Sequence, residues 1–142
     1  MDKPIAGYGW FIKRIDNALE KEANQNLQSL NLTMQQNRVL ILLAHAEEHT
    51  LSLKALEERF GAAQSTVAGL VCRLEKKGLI EALTDPADKR VKLARLTDAG
   101  VQLHAQSRQM VVASEERLTS LLSDEEKEQL LSCLKKVYEA VK

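Results

Sequence analysis

The stretch that decides the fold is residues 53–97, LKALEERFGAAQSTVAGLVCRLEKKGLIEALTDPADKRVKLARLT. A short segment with apolar residues at helical spacing ends at Gly61, and a longer helical segment follows and ends at Gly78. Two apolar runs then flank the charged turn DPADKR, a pattern typical of a β-hairpin. Helix, tight turn, helix and hairpin, in that order, predict a winged helix-turn-helix, which can place a helix in one groove of duplex DNA and a hairpin in the next.

Helical periodicity continues on both sides of this stretch. It predicts further helices over about residues 8–28, 34–48 and 98–122, and a last helix that begins after Ser123. Two helix starts carry a capping-box pattern, Thr33 with Gln36 and Ser123 with Glu126. The expected fold class is mainly α with a small β-hairpin wing, formed by strands at 79–84 and 91–96. It is a winged helix-turn-helix with N- and C-terminal dimerisation helices.

We expect a single domain over residues 1–142, with the winged-helix core at about 33–97 and the dimerisation helices at about 4–30 and 98–142. The first and last helices carry more apolar side chains than a three-helix module can cover, for example Ile15 and Leu134. Because such stripes must be buried somewhere, the sequence predicts a homodimer in which a second copy covers them.

The charge distribution is more informative than the net charge, which is zero. Residues 53–97 hold nine Lys/Arg and six Asp/Glu, whereas residues 1–52 and 98–142 both have a small negative balance. The positive excess therefore lies on the segment expected to face phosphate, as binding by counterion release requires. The excess is small and does not by itself decide between DNA and other partners.

The composition argues against several other classes of protein. No apolar run is long enough to span a membrane, and the N-terminus lacks a signal-peptide pattern. The two cysteines, Cys72 and Cys133, have no CxxC spacing, which suits a reducing compartment, so we expect a cytoplasmic protein. There is no Gly-rich phosphate loop and no Ser/His/Asp pattern. We therefore expect no enzyme, no cofactor and no metal site.

The outer face of the helix at about 64–77 carries unusually small side chains. Ser65, Ala68, Gly69 and Cys72 share this face with Arg73. Small side chains allow a helix backbone to lie close to base edges, where hydroxyl and guanidinium groups can bind bases or phosphate. The ordinary explanation is a surface helix with an unfavourable Gly, but an interior Gly costs about 1 kcal/mol relative to Ala, so Gly69 calls for a reason.

The turn DPADKR is the candidate tip of the wing. Lys89 and Arg90, with Lys92 behind them, are placed to reach a neighbouring minor groove, where a narrow groove attracts Arg. Asp88 stands two residues before Arg90 and can set the direction of its guanidinium. Most charged turns are simply solvated, and it is the preceding helix-turn-helix that favours DNA contact here.

At this point the residues carry a resemblance. The sequences QSTVAGLVCRLEKKGLI, DPADKR and LTDAG, together with the flanking helices, resemble the MarR family of bacterial winged-helix regulators over essentially the whole chain. The resemblance implies a major-groove helix over Gln64 to Arg73, a wing pair of Asp88 and Arg90, and terminal helices that form a dimer interface. The sequence departs from the family pattern at Cys72, where an acidic residue is common, and at Ala82, where Arg is common.

Family members are mostly repressors, and many are released by small phenolic or other lipophilic ligands. We therefore expect a dimeric sequence-specific regulator of transcription that binds double-stranded DNA at a pseudo-palindromic operator. The predicted DNA-binding residues are Gln64, Ser65, Thr66, Ala68, Gly69, Arg73, Lys76, Asp88, Lys89 and Arg90. The candidate ligand-binding residues are Tyr8, Trp10, Phe11 and Arg14, although packing at a dimer interface is the favoured explanation of those aromatic residues.

Two further patterns leave alternatives open. Cys72 beside Arg73 suggests a redox-sensing thiol, whereas Cys133 lies among the apolar positions of the last helix and is expected to pack as a small hydrophobic residue. His45 and His49 in HAEEH, with His104, suggest a regulatory metal site if one helix face carries the first two. The alternative functions are a winged-helix module that binds protein without binding DNA, and a metal- or redox-responsive regulator.

Overall fold

The computed structural model describes residues 6–142. Residues 4 and 5 of the predicted N-terminal helix range lie outside the described residues. The elements in chain order are α1 (Tyr8–Ser29), α2 (Met34–Ala44), β1 (Thr50–Ser52), α3 (Leu53–Phe60), α4 (Gln64–Lys76), β2 (Ile80–Asp85), β3 (Asp88–Leu96), α5 (Asp98–Leu118) and α6 (Asp124–Val141), with a 3-10 turn at Glu47–His49. The predicted fold class, mainly α with a β-hairpin wing, is confirmed.

The helix starts follow the capping residues in the sequence. Both predicted capping boxes are present: Thr33 caps α2 with Gln36, and Ser123 caps α6 with Glu126. Ser52 caps α3 by accepting a hydrogen bond from the N–H of Ala55 at 3.0 Å. Helix α3 ends at Phe60 and is capped by Gly61, whose φ of 75° lies in the left-handed region that glycine adopts without steric cost.

Two helices end earlier than their periodicity predicts. Helix α2 ends at Ala44, because the chain turns after His45 through Glu48 and His49, both of which have positive φ, before it enters β1. Helix α5 ends at Leu118 rather than near residue 122. The hydroxyl of Ser120, in the turn that follows, donates to the carbonyl of Arg117 at 2.9 Å, so a side chain competes with continuation of the helix.

The sheet has three antiparallel strands in the order β1-β3-β2. The sequence predicted the hairpin of β2 and β3 but missed β1, which has three residues and pairs Leu51 with Ala94. Strand β3 also begins at Asp88 rather than near residue 91, so the basic residues of the predicted turn belong to the strand. Only Pro86 and Ala87 remain as the turn between the two strands.

The core lies between α2, α3, α4 and the base of the sheet. The prediction that α2 forms its centre is confirmed, since Val39, Leu40 and Leu43 are fully buried. Fifteen apolar residues form this core: Leu27, Leu32, Val39, Leu40, Leu43, Leu56, Phe60, Val67, Leu70, Val71, Leu74, Leu79, Ile80, Ala94 and Leu96. Most come from residues 32–96, so this segment carries its own hydrophobic core.

The LTDAG sequence closes this core where the sheet meets α5. The hydroxyl of Thr97 donates to the carbonyl of Gly78 at 2.6 Å and accepts from the N–H of Gly100 at 3.1 Å. A Cβ on Gly100 would lie 2.2 Å from the carbonyl oxygen of Leu79, which is backbone and cannot move aside cheaply. Glycine is required at position 100 because the start of α5 passes directly over the turn that ends α4.

The chain divides into two compact units, the second of which covers Val111–Lys142. Every residue of α6 is exposed, including the predicted apolar stripe of Leu130, Leu134, Val137 and Val141. The Cys133 side chain is exposed with the rest of α6 in the single chain, so its packing as a small hydrophobic residue stays a prediction. In the first unit, the aromatic end of α1 is also exposed.

Among residues 6–142, none of the helices is both long enough and apolar enough to cross a lipid bilayer.

Candidate nucleic-acid interface

Helix α4 separates an apolar face from a polar face along its whole length. Val67, Leu70, Val71 and Leu74 are buried in the core, as their spacing predicts. The residues predicted to contact DNA lie on the other side: Gln64, Ser65, Thr66, Ala68, Arg73 and Lys76 are exposed, and Gly69 is half-buried. The buried stripe fixes the rotation of the helix about its axis, so it also fixes which side chains face outward.

Gly69 has no internal packing reason to lack a side chain. A Cβ at this position would meet only the guanidinium nitrogen Nη1 of Arg73, at 3.8 Å, which is an ordinary van der Waals contact. The protein would therefore accept Ala here, and Ala is favoured by about 1 kcal/mol in a helix interior. The explanation suggested by the sequence therefore remains: position 69 is Gly because DNA must lie close to the α4 backbone there.

The first turn of α4 leaves its backbone donors uncapped by a side chain. Ala63 occupies the N-cap position and offers no side-chain acceptor. Ser65 and Thr66 are exposed residues of this first turn, so their hydroxyl groups belong to the positive end of the helix dipole. Such a helix start binds phosphate oxygens.

The wing tip is ordered by its own carboxylates. Asp85 accepts a hydrogen bond from the N–H of Ala87 at 2.9 Å, which shapes the turn. Asp88 accepts from the Nε of Arg90 at 3.1 Å and from its Nη2 at 3.2 Å, so the ion pair predicted from the sequence is present and has two contacts. This guanidinium lowers the pKa of the Asp88 carboxyl below its usual value. The Arg90 side chain itself is 91% exposed, which leaves its outer face available.

A groove runs between α3, α4 and β3. The residues that line it are Ser52, Leu53, Lys54, Glu57, Gln64, Ala68, Arg90, Val91 and Lys92. It brings together the predicted helix residues Gln64 and Ala68 and the predicted wing residue Arg90, which are far apart in sequence. The groove also contains two lysines outside the predicted set, Lys54 and Lys92. The position of Lys92 behind the tip is evident from the sequence, but Lys54 carries no local signal, because only the tertiary structure brings α3 against the wing.

The four candidate ligand-binding residues on α1 form a separate cluster. The rings of Trp10 and Phe11 contact each other edge to face at a centroid distance of 4.9 Å, and the guanidinium of Arg14 lies 4.8 Å from the Trp10 ring centroid. Tyr8 is almost fully exposed. None of the four lines the groove between α3, α4 and β3. Arg14 therefore has an aromatic neighbour in the single chain, and the cluster as a whole faces outward.

The histidines do not have the arrangement that the HAEEH pattern suggested. His45 is the C-cap residue that follows α2, and His49 lies in the next turn, where its Nδ1 is 3.2 Å from the carbonyl of Ala44, so the two do not share a helix face. The ring of His104 on α5 lies 6.1 Å from that of His45, centroid to centroid. Within residues 6–142, no three His, Cys, Asp or Glu side chains are grouped so as to hold a metal ion.

His104 has an unusual environment among these rings. Its Nδ1 is buried and has no hydrogen-bond partner among residues 6–142. Burial lowers the pKa of His104 below its usual value, and the nearby charges of His45, Arg108 and His49 lower it further. The neutral form of this ring is therefore favoured in the folded protein.

Comparison with known proteins agrees with this geometry. The MarR family matches residues 32–92, which include α2 to α4 and the wing tip. A putative transcriptional regulatory protein for the hcr operon of Thauera aromatica is 35% identical over 88 residues, and the match covers 62% of this chain but only 53% of that protein. An uncharacterised HTH-type transcriptional regulator of Bacillus subtilis, YfiV, is 31% identical over 116 residues, covering 80% of this chain and 71% of the relative.

Two solved structures extend the similarity to almost the whole chain. The Staphylococcus aureus MepR–DNA complex has a TM-score of 0.84 and 27% identity, covering 95% of this chain and 100% of the other. MepR bound to ethidium bromide has a TM-score of 0.78 and 27% identity, covering 96% of this chain and 97% of the other. The similarity therefore includes the terminal helices as well as the winged-helix segment.

Proposed function

Because the chain belongs to the MarR family and is a DNA-binding transcriptional regulator, we propose that it acts as a homodimeric repressor of a pseudo-palindromic operator, released by a small lipophilic ligand. In each protomer, α4 enters a major groove and the tip of the wing enters the adjacent minor groove. The two half-sites lie about one helical turn apart, roughly 10–10.5 bp. The observation that carries the proposal is the groove in which the polar face of α4 meets the basic strand of the wing.

The roles of the individual residues follow from their positions on α3, α4 and the wing. Arg73 on the outer face of α4 is the candidate for base recognition, because a guanidinium can donate two hydrogen bonds to guanine. Lys89 and Arg90 supply affinity for the phosphate backbone and the minor groove, and Asp88 holds the direction of Arg90. Lys54 from α3 and Lys92 from β3 both line the groove and are added to the phosphate-binding set.

A homodimer is supported by the apolar surface of the terminal helices. In α1 the side chains of Phe11, Ile12 and Ile15 are about half exposed, and α6 has no buried residue. Monomeric soluble proteins rarely expose contiguous apolar patches larger than a few hundred Å². A second copy would cover these stripes, and its two-fold symmetry would present two α4 helices to the two halves of a palindrome. The dimerisation helices are thus assigned to about residues 4–30 and 98–142.

Release by a ligand is supported by the aromatic cluster on α1 and by the similarity to a MepR structure that holds ethidium bromide. The proposed ligand-binding residues are Tyr8, Trp10, Phe11 and Arg14. Arg14 can pair with the carboxylate of an acidic ligand while the rings contact its apolar part. Trp10 is the only Trp in the chain, so its fluorescence reports on this cluster alone. An aromatic carboxylate should change that fluorescence and weaken DNA binding, and Arg14→Gln should abolish both effects.

The DNA-binding surface is tested by selecting a duplex from a random-sequence pool with the wild-type protein and measuring affinity over a range of salt concentrations. Arg90→Ala should weaken binding to every duplex and lower the salt slope by about one. Arg73→Ala should weaken binding by about 1–3 kcal/mol and relax the preference at particular base pairs. Lys135→Ala, which removes a cation from α6, is the matched control and should leave sequence preference unchanged. The assignment of the wing is wrong if Arg90→Ala binds the selected duplex like the wild type at moderate salt.

A further inference from the structure

One hydrogen bond joins the helix of the candidate DNA-binding surface directly to the wing. The carboxylate oxygen Oε2 of Glu75, near the end of α4, accepts from the backbone N–H of Ala82 in β2 at 3.1 Å. This donor is available because, among the strands of residues 6–142, β2 is an edge strand that pairs with β3 alone in the order β1-β3-β2. Along an edge strand every second N–H points away from the sheet and needs another partner.

Glu75 accepts hydrogen bonds from the turn that ends α4 and from the wing strand that follows it. Its own backbone carbonyl accepts from the N–H of Gly78 at 2.9 Å, while its side chain reaches past the turn to Ala82. Gly78 adopts the left-handed conformation at φ 75°, so the chain reverses here within a few residues. Ala82 contributes only its backbone to this contact, since its side chain is a single methyl group.

The hairpin transmits a change at its base to its tip. Glu81 on β2 forms an ion pair with Arg95 on β3, with the Nε of Arg95 2.7 Å from the Oε1 of Glu81, which braces the two strands near their base. Asp85, where the turn begins, is three residues beyond Ala82, about 10 Å along an extended strand. A small rotation of the hairpin at Ala82 therefore displaces Arg90 relative to the outer face of α4.

We propose that Glu75 is a positioning residue that fixes the wing relative to α4 by accepting the outward N–H of Ala82. This inference rests on the proposed function, because it concerns how the two groups of DNA contacts are spaced. Glu75 does not itself contact DNA in this account. The bond to the wing is the proposed reason for the carboxylate at this position.

The test separates the hydrogen bond from the charge. Glu75→Gln and Glu75→Met both remove one negative charge, but only the Gln variant retains an acceptor oxygen for the Ala82 N–H. On a scrambled duplex the two variants should bind alike. On a duplex selected by the wild-type protein from a random pool, Glu75→Met should bind about two- to ten-fold more weakly than Glu75→Gln, the range that corresponds to one net hydrogen bond.

The second measurement tests whether the loss of affinity in Glu75→Met arises from a displaced wing. Arg90→Ala is combined with each variant, and its cost on the selected duplex is compared. In the Glu75→Gln background, Arg90→Ala should weaken binding about ten-fold. In the Glu75→Met background it should weaken binding only about two-fold, because a displaced wing already makes weaker contacts through Arg90. An equal cost in both backgrounds overturns the proposal, as does equal binding of the selected duplex by the Glu75→Gln and Glu75→Met variants.

Ala82→Pro removes the same bond from the donor side and leaves the charge of the protein unchanged. Proline is tolerated on an edge strand where the N–H is outside the ladder, so this variant keeps the test decisive if Glu75→Met unfolds. It should reproduce the loss of Glu75→Met on the selected duplex, and wild-type affinity for that duplex overturns the proposal. If the wild-type protein selects no duplex above the scrambled one, the proposed function itself fails.

Discussion

Helices α4 and α6 have the same apolar pattern and opposite surroundings. In α4 the stripe of Val67, Leu70, Val71 and Leu74 is between 0 and 6% exposed. In α6 the stripe that begins with Leu130 and Leu134 is at least 40% exposed at every position. Both helices are amphipathic, and periodicity predicted both stripes equally well.

The comparison shows which property of a helix is local and which is not. A repeat of three and four residues determines that one face is apolar, but it carries no information on what covers that face. The α4 stripe is covered by α2, α3 and the sheet of the same chain. For the α6 stripe we propose a second copy, because burying a Leu-sized side chain stabilises a protein by about 1.5–3 kcal/mol relative to leaving it exposed. The predictions below test whether the two helices differ in this way.

The largest effect is expected inside the α4 stripe. Leu74→Ala should lower the free energy of unfolding by about 2–5 kcal/mol, because it removes a fully buried side chain and leaves a cavity. Urea denaturation measures the loss. The control Leu121→Ala, at a side chain that is 97% exposed, should change stability by less than about 0.5 kcal/mol. Similar losses for the two variants would contradict the assignment of Leu74 to the core.

The next effect is expected in the α6 stripe and concerns assembly rather than the internal core. Leu134→Asp should weaken dimerisation at least about ten-fold, because a charge placed in an apolar interface loses its hydration. Sedimentation equilibrium over a range of protein concentrations measures the dissociation. Ser132→Asp adds the same charge to the opposite face of α6 and should leave the oligomeric state unchanged. If both variants and the wild type sediment as monomers, a second copy does not cover α6.

Gly69 tests the outer face of α4, where stability and DNA binding are expected to change in opposite directions. Gly69→Ala should raise the free energy of unfolding by about 0.5–1 kcal/mol, since the new methyl group meets only Arg73 at contact distance. The same methyl group should weaken binding to the selected duplex if the α4 backbone lies close to DNA. Thermal unfolding and a binding titration measure the two quantities. Unchanged DNA affinity would contradict the hypothesis that Gly69 allows the α4 backbone to lie close to DNA.

The smallest effect is expected from His104, which belongs to neither stripe. Its pKa in the folded protein lies below the usual value of 6.5, so the unfolded chain binds more protons as the pH falls through 6.5. The stability contributed by the neutral ring is therefore complete above pH 6.5 and is lost below it. His104→Leu should flatten the fall in melting temperature between pH 7.5 and about 5.5. His45→Gln removes only one of the neighbouring charges and should keep most of the slope; an unchanged slope in His104→Leu contradicts the account.

Part of the candidate site was predictable because it depends on neighbours in sequence. The pair of Asp88 and Arg90 is two residues apart on one strand, and their contact was expected and is present. The outer face of α4 was predictable because its opposite, apolar face is regular. Whether these residues bind DNA as proposed is a separate matter, which the variants at Arg73 and Arg90 address.

The rest of the site depends on contacts between distant segments. Lys54 belongs to the groove only because α3 packs beside the wing, and no pattern around residue 54 indicates this. The bond from Glu75 to Ala82 crosses from a helix to an edge strand, so it has no periodic signal. Strand β1 was missed because three residues are too few for an alternating pattern, and it exists only by pairing with β3.

By itself, the amino-acid sequence determined where most helices begin, which faces are apolar and where the hairpin turns, because caps, glycines and side-chain periodicity act over a few residues. Only the tertiary structure decided that α2 ends before His49, that Lys54 and Arg90 share a groove, and that the Glu75 carboxylate accepts a hydrogen bond from the wing strand. These features arise from the packing of segments that are distant in the chain, and packing depends on the shape and surface of whole elements rather than on any short run of residues.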